Sequence, residues 1–445
     1  MNFLKSLNPI LVQLVLFGLL YLHMPALAQS TLSLQDCADL LVKNNLTYRD
    51  GRLQADAARA QWQQAKSQQL PTTGINLSQG LNLGRSIDRF TNAYVDQLYN
   101  SSYVGAGIQL PIFQGFQVQH QIHQFQLLHE SGDANSLAVR NNQTLLMVQA
   151  YVQVLATKAL FESAQEQVAS SREQVDRVQK QVNAGVVGAN TLYEIKSQLS
   201  NDRFEEVNAL NTYRVARLNL FQLLNIPPED SIQLQPLLIL ASEPQPTDVV
   251  SEDVQANFPT IRAAELRRQS FGYQVKSLRS LNLPSLNLNA NFGAFYASTN
   301  QQLDYFQQLN ATRNGSLSLG VYVPIMGRWQ TRPRIEVAKV QERIAANQVD
   351  QGKQALRQAI EQSVLNVTAA RDRYDAARDQ AEALEASFAT VASRLTAGTA
   401  TIFEYSLSKA NLARAQANAI RSSYEYLMHQ KVLQFYRQGS WDGLL

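Results

Sequence analysis

The sequence predicts a mainly α-helical chain with a transmembrane β portion, built by internal duplication. Three observations lead there. Similar segments recur at one common offset, the helical heptads run too long for a compact domain, and four strands alternate apolar with small polar side chains.

The offset is read first. "LPIFQGF" (residues 110–116) returns as "VPIMGRW" (residues 323–329), so Pro111 and Pro324 stand 213 positions apart (324 − 111). The same shift lays "LPTTGINL" from Leu70 on "LPSLNLNA" from Leu283, Thr47 on Thr260, Arg49 on Arg262, and Gly185 on Gly398. Past those glycines, "TLYE" (residues 191–194) and "TIFE" (residues 401–404) align if three residues are deleted from the second copy.

Composition narrows the class. With 445 residues, 45% of them hydrophobic, the chain can bury a sizeable core, and a net charge of +3 with no dense basic tract excludes a nucleic-acid face. Lys5, the apolar "ILVQLVLFGLLYL" and Ala26-Leu27-Ala28 read as a signal peptide over residues 1–28, so the chain is expected to be exported. The single cysteine, Cys37, can form no intrachain disulfide and reads as a small buried side chain. Beyond the signal no run of 18 apolar residues remains, so membrane insertion must use strands.

The first repeat, residues 29–225, opens with a helix at about 34–67, which Ser33 and Asp36 start as a capping box. Strands at about 71–84 and 101–112 follow, then a long helix at about 117–183 and a half-length helix at about 190–225. A Pro-rich equatorial linker, 226–250, leads to the second repeat, 251–445. Its expected elements are a half helix at about 253–280, strands at about 284–296 and 314–325, a long helix at about 331–396 and a half helix at about 401–437.

Residues 161, 164, 168, 171, 175, 178 and 182 are Phe, Ala, Val, Ser, Val, Val and Val, and their offset partners are Tyr, Ala, Ala, Leu, Phe, Val and Leu. This 3-4 spacing is a coiled-coil seam in both long helices. At 1.5 Å per residue each would be on the order of 100 Å long, and two half-length helices stacked end to end match one of them.

The strands sort their side chains by face. Ile75, Leu77, Leu81 and Leu83 oppose Asn76, Ser78, Gly80 and Asn82, and Val104, Ala106, Ile108 and Leu110 oppose Tyr103, Gly105, Gly107 and Gln109. Leu286, Leu288, Ala290 and Phe292 oppose Asn287, Asn289, Asn291 and Gly293, while Leu317, Leu319, Val321 and Val323 oppose Ser316, Ser318, Gly320 and Tyr322. Such strands suit lipid on one side and a watery lumen on the other. Four strands cannot close in lipid without unpaired N–H and C=O groups, and three copies give twelve, enough for an aqueous pore. The expectation is a homotrimer sharing one 12-stranded barrel, with the long helices forming a periplasmic α-helical tunnel.

The signal peptide, the duplicated "LP" strand starts, "LPIFQGF" feeding a long helix, the glycine turns followed by "TLYE" or "TIFE", and "LLNIP" closing the first half together resemble the TolC family of outer-membrane efflux proteins. The resemblance covers essentially the whole mature chain. It implies a trimeric exit duct in the outer membrane of a Gram-negative bacterium, serving efflux or type I secretion. Such a duct is coupled through a periplasmic adaptor (membrane fusion) protein to a proton-driven or ATP-driven inner membrane pump.

By the same resemblance, Arg394, Leu395, Gly398 and Thr399 form one adaptor-docking tip and Gln181, Val182 and Gly185 its counterpart. Glu404 rings the periplasmic gate, with Glu194 as its first-half equivalent and Leu407 where the family carries a second acid. From the residues themselves, Pro111 and Pro324 end strands, Gly115 and Gly327 bend the chain into the helices, and Arg328, Arg332 and Arg334 lie near lipid headgroups. His120 and His123 form an i, i+3 pair with no third ligand, so neither a metal nor a cofactor is expected, and no nucleophile motif supports an enzyme. The residues alone leave open a structural or adhesive coiled-coil protein that does not conduct.

Overall fold

A computed structural model describes residues 31–88, 92–228, 232–237, 256–441 and 443–444. The expected signal peptide and most of the linker lie outside the described residues. Along the first repeat run β1 (Thr31–Leu32), α1 (Leu34–Asn44), α2 (Leu46–Ser67), β2 (Thr72–Asn82), the short β3 (Arg85–Ile87) and β4 (Tyr94–Asp96), β5 (Tyr99–Gln114), α3 (Gln117–Asn183) and α4 (Ala189–Leu224). Then follow β6 (Gln233–Leu234), α5 (Pro259–Ser280), β7 (Ser285–Ala297), α6 (Tyr305–Thr312), β8 (Asn314–Tyr322), α7 (Arg328–Thr396) and α8 (Ile402–Gln438).

Helices α3 and α7, of 67 and 69 residues, are each about 100 Å long. Along α3, α2 and α5 pack on the sheet-proximal half and α4 on the distal half; α7 is flanked likewise by α5 and α8. The duplication is visible in side-chain contacts. Phe161 stacks on Tyr213 at 6.3 Å, and their partners at offset 213, Tyr374 and Tyr426, stack at 6.0 Å.

The main core sits at the midpoints of the long helices. Met147, Val148, Tyr151, Leu155, Leu356 and Ile360 meet the ends of the half-length helices there, through Leu41, Leu220, Leu224, Phe258 and Phe435. The parallel pair β1–β6 closes this core, and the Tyr151 hydroxyl donates to the Gln235 carbonyl at 2.7 Å, with the Leu32 carbonyl at 3.1 Å. Every ladder group that this two-residue pair leaves over must find a local partner, and Tyr151 supplies one. One window of α3 is apolar enough in composition to cross a membrane, but half of it is buried inside the chain.

Several boundaries differ from the sequence reading for local reasons. The first helix is two helices, because Asn45 leaves helical geometry (ψ 124°), caps Tyr48 N–H with its side chain and donates to the Leu223 carbonyl at 2.9 Å. Helix α5 starts at Pro259, whose fixed φ suits a first helical position, because Phe258 (ψ 129°) breaks from helical geometry after 256–257; the expected start at about 253 lies outside the described residues. Helix α7 starts at Arg328 rather than 331 and runs through Pro333 in its second turn, which removes one intrahelical N–H donor. Strand β8 stops at Tyr322, not 325, because its partner β7 begins at Ser285, opposite Tyr322.

Strands β2, β5, β7 and β8 form one antiparallel sheet in that order. Between β7 and β8 the chain carries α6, opened by an Asp304–Gln307 capping box. Gln308, fully buried, holds α6 by accepting from Ala297 N–H and donating to the Asn300 and Leu303 carbonyls.

Cys37 is fully buried in the equatorial core, and burial pushes its thiol up to about 12. The native chain at about pH 8 is therefore expected to resist iodoacetamide, whereas a free thiol near its ordinary value reacts. Mass spectrometry with and without urea checks this; rapid native alkylation would place Cys37 outside the core.

Candidate functional site

The sheet has two chemically distinct faces because its register keeps like with like. Asn76 pairs with Gly105, Gly105 with Gly293, and Gly293 with Asn314; one step along, Leu77 pairs with Val104, Val104 with Ala294. Asn287, Asn289 and Asn291 lie opposite Gly320, Ser318 and Ser316, so that face is mainly small and polar, with Tyr103, Phe295 and Tyr322 as its aromatic residues. The other face leaves Ile75 78% and Leu317 74% exposed, with Leu77, Leu81, Phe292, Leu319 and Val321 beside them. A continuous apolar surface of that kind is a contact surface rather than a solvated one. The outer edges of β2 and β8 have no strand partner among the described residues.

The two joints between sheet and long helix differ. Pro111 does not end β5, which runs on to Gln114 with a bulge between Pro111 and Phe113. Beyond Gln109 the strand has lost β2 as a neighbour, so the missing proline N–H costs no ladder bond on that side. The bulge also keeps Leu110 and Phe113 on the same face, opposite Leu288 and Leu286. Gly115 has φ +57°, and a Cβ there would lie 2.7 Å from the Ser280 carbonyl oxygen and from Leu283 Cβ. Gly327, expected to do the same work, has φ −65°, and a Cβ there would meet only Pro324 Cβ at an ordinary 3.5 Å, so it is not required to be glycine. Pro324 lies two residues past the end of β8.

At the far end both hairpins reverse through the same backbone motif. After α3, Gly185 (φ +74°) donates to the Val182 carbonyl and Val186 to the Gln181 carbonyl; after α7, Gly398 (φ +73°) donates to Leu395 and Thr399 to Arg394. These are Schellman turns, which need a residue with positive φ. The residues singled out as docking tips, Gln181, Val182, Gly185, Arg394, Leu395, Gly398 and Thr399, are thus the ones that build the turns.

The following helices start at Gly188 and Thr401, again 213 apart, so no residues are deleted at the second tip. The likeness of "TLYE" to "TIFE" is out of register by three. Glu404 is at the third position of α8, where its carboxylate accepts from Thr401 N–H in a capping box and lies 3.8 Å from Arg394. Glu194 sits a turn deeper in α4, is exposed, and falls in register with Leu407 rather than Glu404. Glu194 is therefore not the structural equivalent of Glu404.

Above the tips lies a polar cluster that the motif reading missed. Lys409 of α8, 3% exposed, donates to Ser171 of α3, to the Gln167 carbonyl at 3.1 Å and to Asp202 of α4 at 3.1 Å; Ser171 in turn donates to Asp202. The signal was present in the sequence as Ser171, a polar residue in an otherwise apolar seam. His120 and His123 instead lie against the Tyr273 ring of α5, and no three potential metal ligands come together among the described residues.

A profile described as outer membrane efflux protein matches residues 38–225 and 250–436, one stretch per repeat. The chain belongs to this family. Outer membrane efflux proteins similar to it include the outer membrane protein TolC of Salmonella enteritidis, 26% identical over 191 residues. That stretch is 40% of this chain and 39% of that protein. Protein CyaE of Bordetella pertussis is 20% identical over 355 residues, 79% of this chain and 72% of that protein. Among solved folds, the Campylobacter jejuni CmeC outer membrane channel superposes with a TM-score of 0.79 at 17% identity, covering 91% of this chain and 85% of that one. The two matched stretches take in both long helices and both Schellman tips of this chain.

Two substitution series follow. Gly115→Ala is expected to destabilise by more than about 1 kcal/mol, whereas Gly327→Ala stays within about 0.5 kcal/mol. Denaturant midpoints followed by circular dichroism separate them, and equal effects would contradict the joint geometry. Lys409→Met alone leaves Asp202 without its cation and is expected to cost about 3 kcal/mol, while Lys409→Met with Asp202→Leu recovers most of that loss. Additive losses in the cycle would show that the pair is not coupled.

Proposed function

We propose that this chain is one third of a trimeric outer membrane duct. The observation that carries the reading is the sheet: four in-register strands, apolar on one face and small-polar on the other, with two open edges at the end of helices about 100 Å long. Backbone edges in lipid must be paired, and β8 of one copy against β2 of the next does this. Three copies make twelve strands, with the asparagine, serine and glycine face lining a lumen. Apolar residues left uncovered on the helices support the same closure: Leu46, Leu53, Phe204, Val207, Val337 and Ile344 remain exposed in a single chain.

In this reading the sheet crosses the outer membrane and the helices form a tunnel in the periplasm. A periplasmic adaptor docks at the Gly185 and Gly398 tips, and an inner membrane pump, proton-driven or ATP-driven, supplies direction. Glu404, three times around the axis, forms a carboxylate gate; Glu194 adds charge a turn further in. Family membership and the positions of both glycine tips support this assignment. Efflux of small molecules and type I secretion of protein use the same duct.

Purified protein in planar bilayers tests the reading. Heat-modifiable trimers are expected to conduct, with Glu404→Gln lowering cation preference while keeping the capping-box acceptor. Trimers that never conduct, in either form, would favour a structural coiled-coil role instead.

A further inference from the structure

Tyr103 does not stand away from the sheet as strand side chains ordinarily do. Its ring lies flat across Gly105, two residues along β5, and Gly293, the cross-strand partner of Gly105 on β7. A Cβ on Gly105 would sit 2.6 Å from Tyr103 Cε1 and Oη, and one on Gly293 would meet Oη and lie 2.8 Å from Cζ. Both glycines are buried, although they belong to the polar face, where Gly74 has open space above it. Neither glycine has the positive φ that would demand glycine for backbone reasons. Their lack of a side chain is explained by the ring above them, and the ring's position by their lack of a side chain.

We propose that this paired-glycine shelf sets the bore of the barrel at the Tyr103 level: Gly105 and Gly293 keep the phenol out of the passage, and Tyr103 is the residue that limits the size of what passes there. The inference rests on the lumen reading above, since it requires the polar face to line a passage. With three copies, three rings lie against the wall at one height. A methyl group on either glycine cannot be accommodated beneath the ring, so the ring must rise, and all three would rise into the lumen together. The consequence is steric and falls on bulky solutes, while small ions retain a path between the raised rings.

The periplasmic tips can dominate conductance, so the test approaches from the other end. Ser318→Cys, on the polar face of β8 and nearer the helices than Tyr103, is placed in full-length trimers in outer membrane vesicles, with water-soluble maleimides of graded size added to the extracellular side. Cys37 is buried and stays silent. Gly293→Ala and Gly105→Ala are each expected to slow labelling by the largest admitted reagents at least several-fold and leave the smallest unaffected. Adding Tyr103→Ala to either is expected to restore the rate, and Tyr103→Ala alone to raise the size limit. Unchanged labelling in the glycine variants, or a double variant that stays slow, overturns the proposal. If the glycine variants do not assemble, Tyr103→Ala decides it, because an unchanged size limit there overturns it too. Failure of the smallest reagent to reach Ser318→Cys in the otherwise unaltered chain overturns the lumen reading itself, and with it this inference.

Discussion

The register of the four-stranded sheet is the constraint on which the rest depends. Side chains alternate along a strand, so a one-residue slip would send every asparagine to the leucine face. From Thr72 opposite Gln109 through Gly293 opposite Asn314, the pairing keeps apolar with apolar across all four strands. The only irregularity lies where β5 has outrun β2, and the bulge there preserves the faces by carrying Leu110 and Phe113 to the same side. A sheet so sorted cannot be stable in water alone, because its exposed aliphatic face has no layer to pack on. That face must therefore meet something apolar outside the single chain.

The equatorial core answers a second problem, how helices of unequal length can share one bundle. Half-length helices end in mid-bundle, where orphan backbone groups would otherwise be buried. Asn45 caps one start and reaches the Leu223 carbonyl near the end of another, while Tyr151 meets the carbonyl left by the short β1–β6 pair. Large side chains concentrate there, including Phe221, Phe258, Phe435 and Trp441, while the distal stretches pack a smaller cluster of Val178, Leu192 and Ile195, the Phe388–Tyr405 pair and the buried Lys409–Asp202 contact.

Much of this was legible in the sequence, for identifiable reasons. Strand faces follow from a two-residue period and the long helices from heptads, both of which depend on burial averaged over many residues. The tip glycines were legible because a left-handed C-cap has few alternatives. What escaped depends on single three-dimensional coincidences. "TLYE" and "TIFE" look equivalent as strings, but the stacked pairs Phe161–Tyr213 and Tyr374–Tyr426 hold both hairpins at offset 213, leaving Glu194 against Leu407. Likewise, nothing in the strand pattern says that Gly105 and Gly293 meet under one ring, because their pairing joins residues from different repeats.

The two tips show how a duplicated backbone frees side chains to diverge. A Schellman turn asks only for positive φ at one residue and is otherwise made of main-chain N–H and C=O groups, so both copies kept it with one glycine each. Around it, the second tip gained a Thr401–Glu404 capping box and an Arg394 contact, while the first begins its returning helix at Gly188 with no side-chain cap. Charge at the second tip is therefore tied to helix stability, and charge at the first is not. Glu404 cannot be lost without loosening the start of α8, whereas Glu194, Tyr193 and Val186 are exposed and carry no such duty. On the proposed reading, in which an adaptor docks at these tips, this separates the docking surface from the duty of capping a helix. The geometry puts the constrained charge on one hairpin and the free surface on the other.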